Sequence, residues 1–195
     1  YMFLFLLNFS WLFYNLFLAL ISVVCGKLML RIHSKPLKFI FFFIWLIFLP
    51  NTIYLSTDII HLFENWSRVD PMFKILLMFQ YAFFAILGII TFVMAVYFFQ
   101  KLIQDKSNAK INPTTFIAIC ILNFIVGFGV ILGGVQRTNS WHIFTDPIKV
   151  ANDILNAISS KEMLMLSAGV GILANIIYFL CAETAAIWDK KLFKK

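Results

Sequence analysis

Long apolar runs alternate with short polar segments along the whole of this 195-residue chain. Runs of about 18 or more apolar residues with few charges are typical of transmembrane helices. Five such runs occur, at residues 2–24, 38–55, 73–99, 114–133 and 163–182. We therefore predict an all-α fold: a polytopic membrane helical bundle with about five transmembrane helices, forming a single domain over residues 1–195.

The polar segment between the fourth and fifth spans has a pattern of its own. Its apolar side chains recur with the 3.6-residue period of a helix, at Ile148, Ala151, Ile154, Leu155 and Ile158. This period predicts a short amphipathic helix on the membrane surface. Pro147 suits its first turn, and Asp146 suits the capping position before it.

Small residues predict which spans pack closely. Gly129 and Gly133 share one face of the fourth span, and Ser167, Gly171 and Ala174 give the fifth span a comparable small face. Small residues let membrane helices approach each other closely. We expect these two spans to pack together.

Composition and charge define the setting. The chain is 62% hydrophobic and 13% charged, against about 25% charged for a soluble domain. The chain begins with Tyr1 rather than methionine, which leaves open a further helix upstream. No basic segment precedes the first span and no small-residue cleavage site follows it, so we expect this span to be retained.

The net charge of +7 is unevenly distributed. The loops after the first and third spans and the C-terminal tail are rich in Lys and Arg, which mark the cytoplasmic side. We therefore predict a multi-pass protein of the plasma (inner) membrane, with a cytoplasmic C-terminus and extracytoplasmic loops at residues 56–72 and 134–162. The predicted partner is the lipid bilayer, with no nucleic acid, since the excess charge follows topology.

Two polar segments adjoin predicted spans, and we name them the first motif (residues 50–61) and the second motif (residues 137–147). Tyr54, Asp58 and His61 of the first motif share one face if the segment is helical. Asp58 and His61 are candidates for catalytic acid–base chemistry. Asn51 and Tyr54 are candidate binding residues.

The second motif supplies three more candidate binding residues, Arg137, Asn139 and Trp141. A zinc site needs three or four ligands, and Asp58 with His61 provides two. His142 and Asp146 could complete such a set, although a network of hydrogen bonds at the helix ends is the simpler interpretation. The sequence has no P-loop, HExxH, GxSxG or dinucleotide fingerprint, so we predict no cofactor and leave enzymatic activity open.

The two motifs run in parallel when Asn51 is aligned with Asn139. Thr57-Asp58 then meets Thr145-Asp146. A duplicated helix–loop–helix unit would produce this likeness, and many transporters carry repeats. Chance similarity over eight residues is the alternative explanation.

At these residues the chain resembles a bacterial integral membrane family known only as domain of unknown function family 1361. The likeness lies in residues 14–19, 49–62 and 133–141. Ile53, Gly134 and His142 stand where the family usually has proline, arginine and aspartate. The resemblance implies a multi-span inner-membrane protein and no particular activity. It marks seven residues for testing: Asn51, Tyr54, Asp58, His61, Arg137, Asn139 and Trp141.

Three hypotheses of function follow. The first is a membrane-embedded subunit, or a protein that binds lipid or a partner through an outward-facing polar cluster, with other membrane-protein subunits as possible partners. The second is a membrane enzyme acting on a lipid or envelope precursor at the outer leaflet, with Arg137 holding an anionic headgroup. The third is a small transporter, and it rests on the possible repeat alone.

Overall fold

The computed structural model describes residues 2–58, 62, 70–104 and 111–193. The regular elements in these ranges are all helical: α1 (Met2–Arg31), α2 (Lys35–Phe48), α3 (Pro50–Thr57), α4 (Pro71–Ile103), α5 (Pro113–Gly134), α6 (His142–Thr145), α7 (Pro147–Ser159) and α8 (Lys161–Phe193). Together α2 and α3 form one apolar stretch. With α1, α4, α5 and α8 they make five candidate membrane spans. The predicted all-α bundle is confirmed.

Proline sets the starts of these helices. All five prolines of the chain lie in the first turn of a helix, namely α2, α3, α4, α5 and α7. Proline is tolerated there because the first-turn N–H has no intrahelical partner. The Asn112 side chain accepts a hydrogen bond from Thr115 N at 2.7 Å, and the Asp146 side chain accepts one from Lys149 N at 3.0 Å. The predicted cap and first turn of α7 are therefore confirmed.

The first half of the bundle packs α1 against α2, α3 and α4. Trp45 of α2 is fully buried, and its ring stacks on Phe99 of α4 with centroids 5.2 Å apart. Gly26 of α1 allows this approach, because a Cβ there would lie 3.2 Å from Phe98. Ser56 of α3 donates a hydrogen bond to Ala85 O of α4 at 3.0 Å. Aromatic packing and small residues thus fix these helices together.

The second half of the bundle is the close pair α5–α8. A Cβ on Gly127 would lie 2.4 Å from Ser167 O, so only glycine fits this contact. Asn123 also donates a hydrogen bond to Asn175 at 2.9 Å. The prediction that these spans pack together is right, and Ser167 and Gly171 of α8 lie in the contact as expected, but on α5 the contact is made by Gly127 and not by the predicted glycines. Gly129 and Gly133 instead face Pro50 and Tyr54 of α3.

Charged residues close one end of the bundle, which we call the lysine end. Asp189 of α8 is only 3% exposed and pairs with Lys27 of α1 at 2.8 Å and Lys101 of α4 at 2.7 Å. Lys27 also lies over the Phe98 ring, 5.1 Å from its centroid. Three helices are therefore joined by one buried carboxylate. The described residues of both motifs lie at the other end, which we call the motif end.

Candidate functional site

A proline interrupts the second span at the motif end. Pro50 separates α2 from α3, and because it lacks an N–H it breaks the helical hydrogen-bond ladder in that turn. In a membrane, polar side chains can supply the missing donors. The Asn51 side chain donates to Phe48 O at 3.1 Å, and the Ser140 hydroxyl donates to Ile47 O at 3.1 Å.

The same two side chains join the motifs. Asn51 Nδ2 donates a hydrogen bond to Ser140 Oγ at 2.8 Å, across 89 positions of sequence. The first motif is thereby tied to the second at the proline break. Asn51, a predicted binding residue, thus has a structural role in this contact.

The second motif follows the end of α5 as a tight turn. Thr138 N donates to Leu132 O at 3.1 Å, and the residue before it, Arg137, has a φ of 53°. Asn139 N donates to the Nδ1 atom of His142 at 3.1 Å, and His142 N returns a bond to Asn139 O at 2.9 Å. These bonds lead the chain into the single turn of α6.

A cavity of about 410 Å³ lies between the two motifs. Its polar wall contains Asn15, Asn51, Tyr54, Thr138, Asn139 and Ser140. The rest of the wall is mainly apolar and comes from α1, α2, α5 and α7, with Leu18, Leu46, Ile125, Val130 and Ile154 among its members. Three predicted binding residues, Asn51, Tyr54 and Asn139, therefore face one space.

Aromatic rings flank this cavity. Trp11 lines it and meets Tyr54 edge-on, with centroids 6.4 Å apart. Trp141 packs edge-on against Tyr14 of α1 at 5.9 Å, which fixes the second motif against the bundle. Among the residues that the structure describes, the Tyr54 hydroxyl has no hydrogen-bond partner, so it is free to bind a ligand.

Only one member of the candidate acid–base pair, Asp58, lies in the described part of the chain. Asp58 is 2% exposed, and its carboxylate accepts a hydrogen bond from Asn15 at 3.1 Å. Helix α3 ends at Thr57, with Asp58 as its C-cap. His61 lies outside the described residues, so the shared face of Tyr54, Asp58 and His61 stays a prediction.

The candidate metal ligands already have structural contacts where they are described. The His142 ring accepts a backbone hydrogen bond, Asp146 caps α7, and Asp58 bonds to Asn15. Within residues 2–58, 62, 70–104 and 111–193, no three His, Cys, Asp or Glu side chains are grouped to hold a metal ion. The hypothesis of a metal site therefore gains no support from the described residues.

Helix α7 covers one side of the cavity. Val150 and Ile154 line it, and Asp153 ties the helix to the second motif by accepting a hydrogen bond from Thr138 at 2.5 Å. Lys149, one turn earlier in the same helix, donates a second bond to Asp153 at 2.5 Å. The hydrogen bonds from Lys149 and Thr138 hold the pKa of Asp153 below its usual range. A charge-assisted contact therefore holds this cover in place.

Sequence reasoning missed several residues of the site. The sequence pattern did not mark Asn15 as a site residue, yet it lines the cavity and contacts Asp58. Ser140 lies in the second motif but is not among the predicted site residues. Pro50 could have predicted such a residue. A proline inside an apolar span leaves backbone carbonyl groups without a donor, and a distant hydroxyl can donate a hydrogen bond to them.

The two motifs share a conformation only in part. Asn51 lies within helix α3, whereas Asn139 lies in the turn before α6. The second half of the alignment is helical in both motifs, with Asp58 and Asp146 as the C-caps of α3 and α6. The transporter hypothesis rested on that repeat and gains nothing from the structure.

Comparison with known proteins gives one match. The model of the family described as "Protein of unknown function (DUF1361)" matches residues 14–177. That range includes both motifs and all the described lining residues of the cavity except Trp11. No curated protein and no solved structure matches the chain.

Proposed function

Because this chain belongs to the family described as Protein of unknown function (DUF1361), we propose its function from the cavity: a membrane-embedded protein that binds a lipid. The observation that carries the proposal is the cavity between the two motifs. Its volume, about 410 Å³, falls within the range of about 300–1,000 Å³ typical of ligand pockets.

The wall of the cavity suits an amphiphile. Apolar side chains from four helices would surround a hydrocarbon chain, while amide and hydroxyl groups lie on the motif side. A few placed polar groups in a mainly apolar wall are typical of ligand sites. Asn51 and Ser140 already bond to each other and to backbone carbonyls. Tyr54 and Asn139 are therefore the better candidates for contact with a ligand.

Charge distribution supports an orientation for this site. The lysine end adjoins the basic loops and the basic C-terminal tail, and an excess of Lys and Arg marks the cytoplasmic side. We therefore place the C-terminus in the cytoplasm and the cavity at the outer side of an inner membrane. The whole chain would then act as one membrane domain.

A subunit role is the second candidate. Helix α8 is the least covered span, with 22% of its apolar window buried, against 50% for α4. A shallow groove between α5 and α8 is lined by apolar side chains and by the half-buried Asn175. Another membrane helix would cover this face, so a partner chain that co-purifies with the protein would favour this role.

The test fills the cavity and leaves the residues of its polar wall unchanged. A Cβ on Gly133 would lie 3.9 Å from the Tyr54 ring, so Gly133→Leu would fit and occupy the space. Gly169→Leu is the matched control, because Gly169 is in α8 with nothing within 4 Å of its added Cβ. Both changes replace glycine by leucine in an apolar helix.

Native mass spectrometry of gently solubilised protein would measure the outcome. We expect one bound lipid per chain in the wild type and in Gly169→Leu, and loss of that lipid in Gly133→Leu. A wild-type chain without lipid, or equal lipid in both variants, would overturn the proposed function.

A further inference from the structure

The backbone at Arg137 is costly for an arginine. Its φ of 53° lies in the left-handed region, which glycine enters far more easily than other residues. Glycine is also the usual residue in this conformation after a helix, and the chain places Gly133 and Gly134 just before. The conformation of the turn therefore does not account for an arginine at position 137. A role of its side chain in binding would account for it.

The Arg137 side chain is available for binding. It is exposed, and it has no ion-pair partner among the described residues. The nearby carboxylates are occupied: Asp153 by Lys149 and Thr138, and Asp58, buried, by Asn15. A cation thus remains at the motif end without a matching anion from the described chain.

This cation lies beside the cavity. The next three residues, Thr138, Asn139 and Ser140, all line it, and a Cβ on Gly134, three residues before Arg137, would lie 3.5 Å from the Tyr54 ring in the same wall. The Tyr54 hydroxyl is free as a donor. A guanidinium and a phenol near one space form a donor pair suited to a phosphate or carboxylate oxygen.

We propose that the cavity selects an anionic amphiphile, with Arg137 and Tyr54 binding its phosphate or carboxylate group and the apolar wall holding one hydrocarbon chain. This inference rests on the proposed lipid-binding function. It adds the charge of the ligand and identifies Arg137 as the residue that recognises this charge.

The test compares two probes that share a chain and differ in headgroup charge: lysophosphatidic acid, which is anionic, and lysophosphatidylcholine, which is zwitterionic. Binding is measured in neutral detergent. We expect the wild type to bind the anionic probe about tenfold more tightly, the gain typical of a hydrogen bond to a charged group. Inorganic phosphate, which lacks the chain, should not compete.

Three variants separate a binding role from a structural one. Arg137→Gln should remove the preference for the anionic probe, and Arg137→Lys should keep part of it. Arg137→Gly should also remove it, yet unfold at a higher temperature than Arg137→Gln, because both lose the charge and only glycine relieves the left-handed strain.

The possible failures are distinguishable. If the wild type binds neither probe, the proposed function fails together with this inference. If it binds both probes equally, or if Arg137→Gln keeps the preference, only the choice of an anionic ligand fails. If Gly133→Leu keeps the preference, Arg137 attracts anions at the surface and not through the cavity, and the inference is overturned. Competition by inorganic phosphate would mean an adventitious anion site and would also overturn it.

Discussion

The two ends of the bundle handle polar groups in opposite ways. At the lysine end, one buried carboxylate joins α1, α4 and α8 through two lysines and closes the structure. At the motif end, amides and hydroxyls surround a cavity, and the Tyr54 hydroxyl and Arg137 charge have no partner among the described residues. A polar cluster beside a membrane span can be structural or functional. The paired charges of the lysine end indicate a structural role, and the groups without a partner at the motif end support the binding site that we propose.

The largest expected effect is at the lysine end. Asp189→Asn leaves Lys27 and Lys101 together without the carboxylate between them. Breaking a buried ion pair costs about 3–5 kcal/mol. We expect about 3 kcal/mol, because the Lys101 side chain is 40% exposed and partly hydrated. Reversible unfolding in mixed detergent micelles would give the free energy of unfolding.

Glu183→Gln is the control for this change, since it removes an exposed carboxylate from the same helix. Equal stability of the two variants would refute the closing role of Asp189. Both variants should still bind lipid at temperatures where they are folded, because the cavity lies at the other end.

Two glycines of α5 offer a smaller and sharper contrast. Gly127→Ala would place a Cβ 2.4 Å from Ser167 O, whereas Gly133→Ala would leave 3.9 Å to Tyr54. Overpacking of this kind costs about 1–3 kcal/mol, so we expect that loss for Gly127→Ala and little change for Gly133→Ala. The same unfolding measurement would compare them, and equal losses would mean that the motif end is as closely packed as the α5–α8 contact.

The sequence predicted the spans and the surface helix well, because both depend on local pattern. Apolar runs identified the membrane helices, and a 3.6-residue period with Asp146 and Pro147 identified α7. These signals need no knowledge of which helices touch. They do not show which neighbouring helix each face of a span contacts. Gly129 and Gly133 were expected to face α8, but they face α3.

The site was less predictable for the same reason. Composition marked both motifs as unusual, but it could not show that Asn51 bonds to Ser140 or that Asn15 reaches Asp58. Those contacts depend on the packing of α1, α3 and α5. The left-handed backbone conformation of Arg137 could not be predicted either, because arginine has no preference for a positive φ.

The link between the motifs should have a moderate effect on stability. Ser140→Ala removes its hydrogen bonds with Ile47 O and Asn51, so we expect a loss of about 1–2 kcal/mol. Asn51→Ala should behave similarly. The double variant should lose less than the sum of the two, because residues that share hydrogen bonds are coupled. Strict additivity in the unfolding free energies would show that the bond does not join the motifs.

The smallest expected effect is the response of α7 to acid. Hydrogen bonds from Lys149 and Thr138 lower the pKa of Asp153 in the folded protein, so the contact contributes fully above the usual aspartate pKa of about 3.9. It is lost as the pH falls through the lowered folded pKa. Hydrogen exchange in α7, corrected for the intrinsic rate, should therefore be slower in the wild type than in Asp153→Asn at neutral pH.

The two proteins should then converge as the pH falls below about 4. Asp70→Asn is the control, because Asp70 is exposed and its side chain caps no helix. It should leave α7 exchange unchanged throughout. If Asp153→Asn also leaves neutral-pH exchange unchanged, α7 is held by apolar contacts, which include those of Val150, Ile154 and the buried Ala157. Apolar packing would then secure the cavity, and the motif end would contain no charged contact comparable to the one that closes the lysine end.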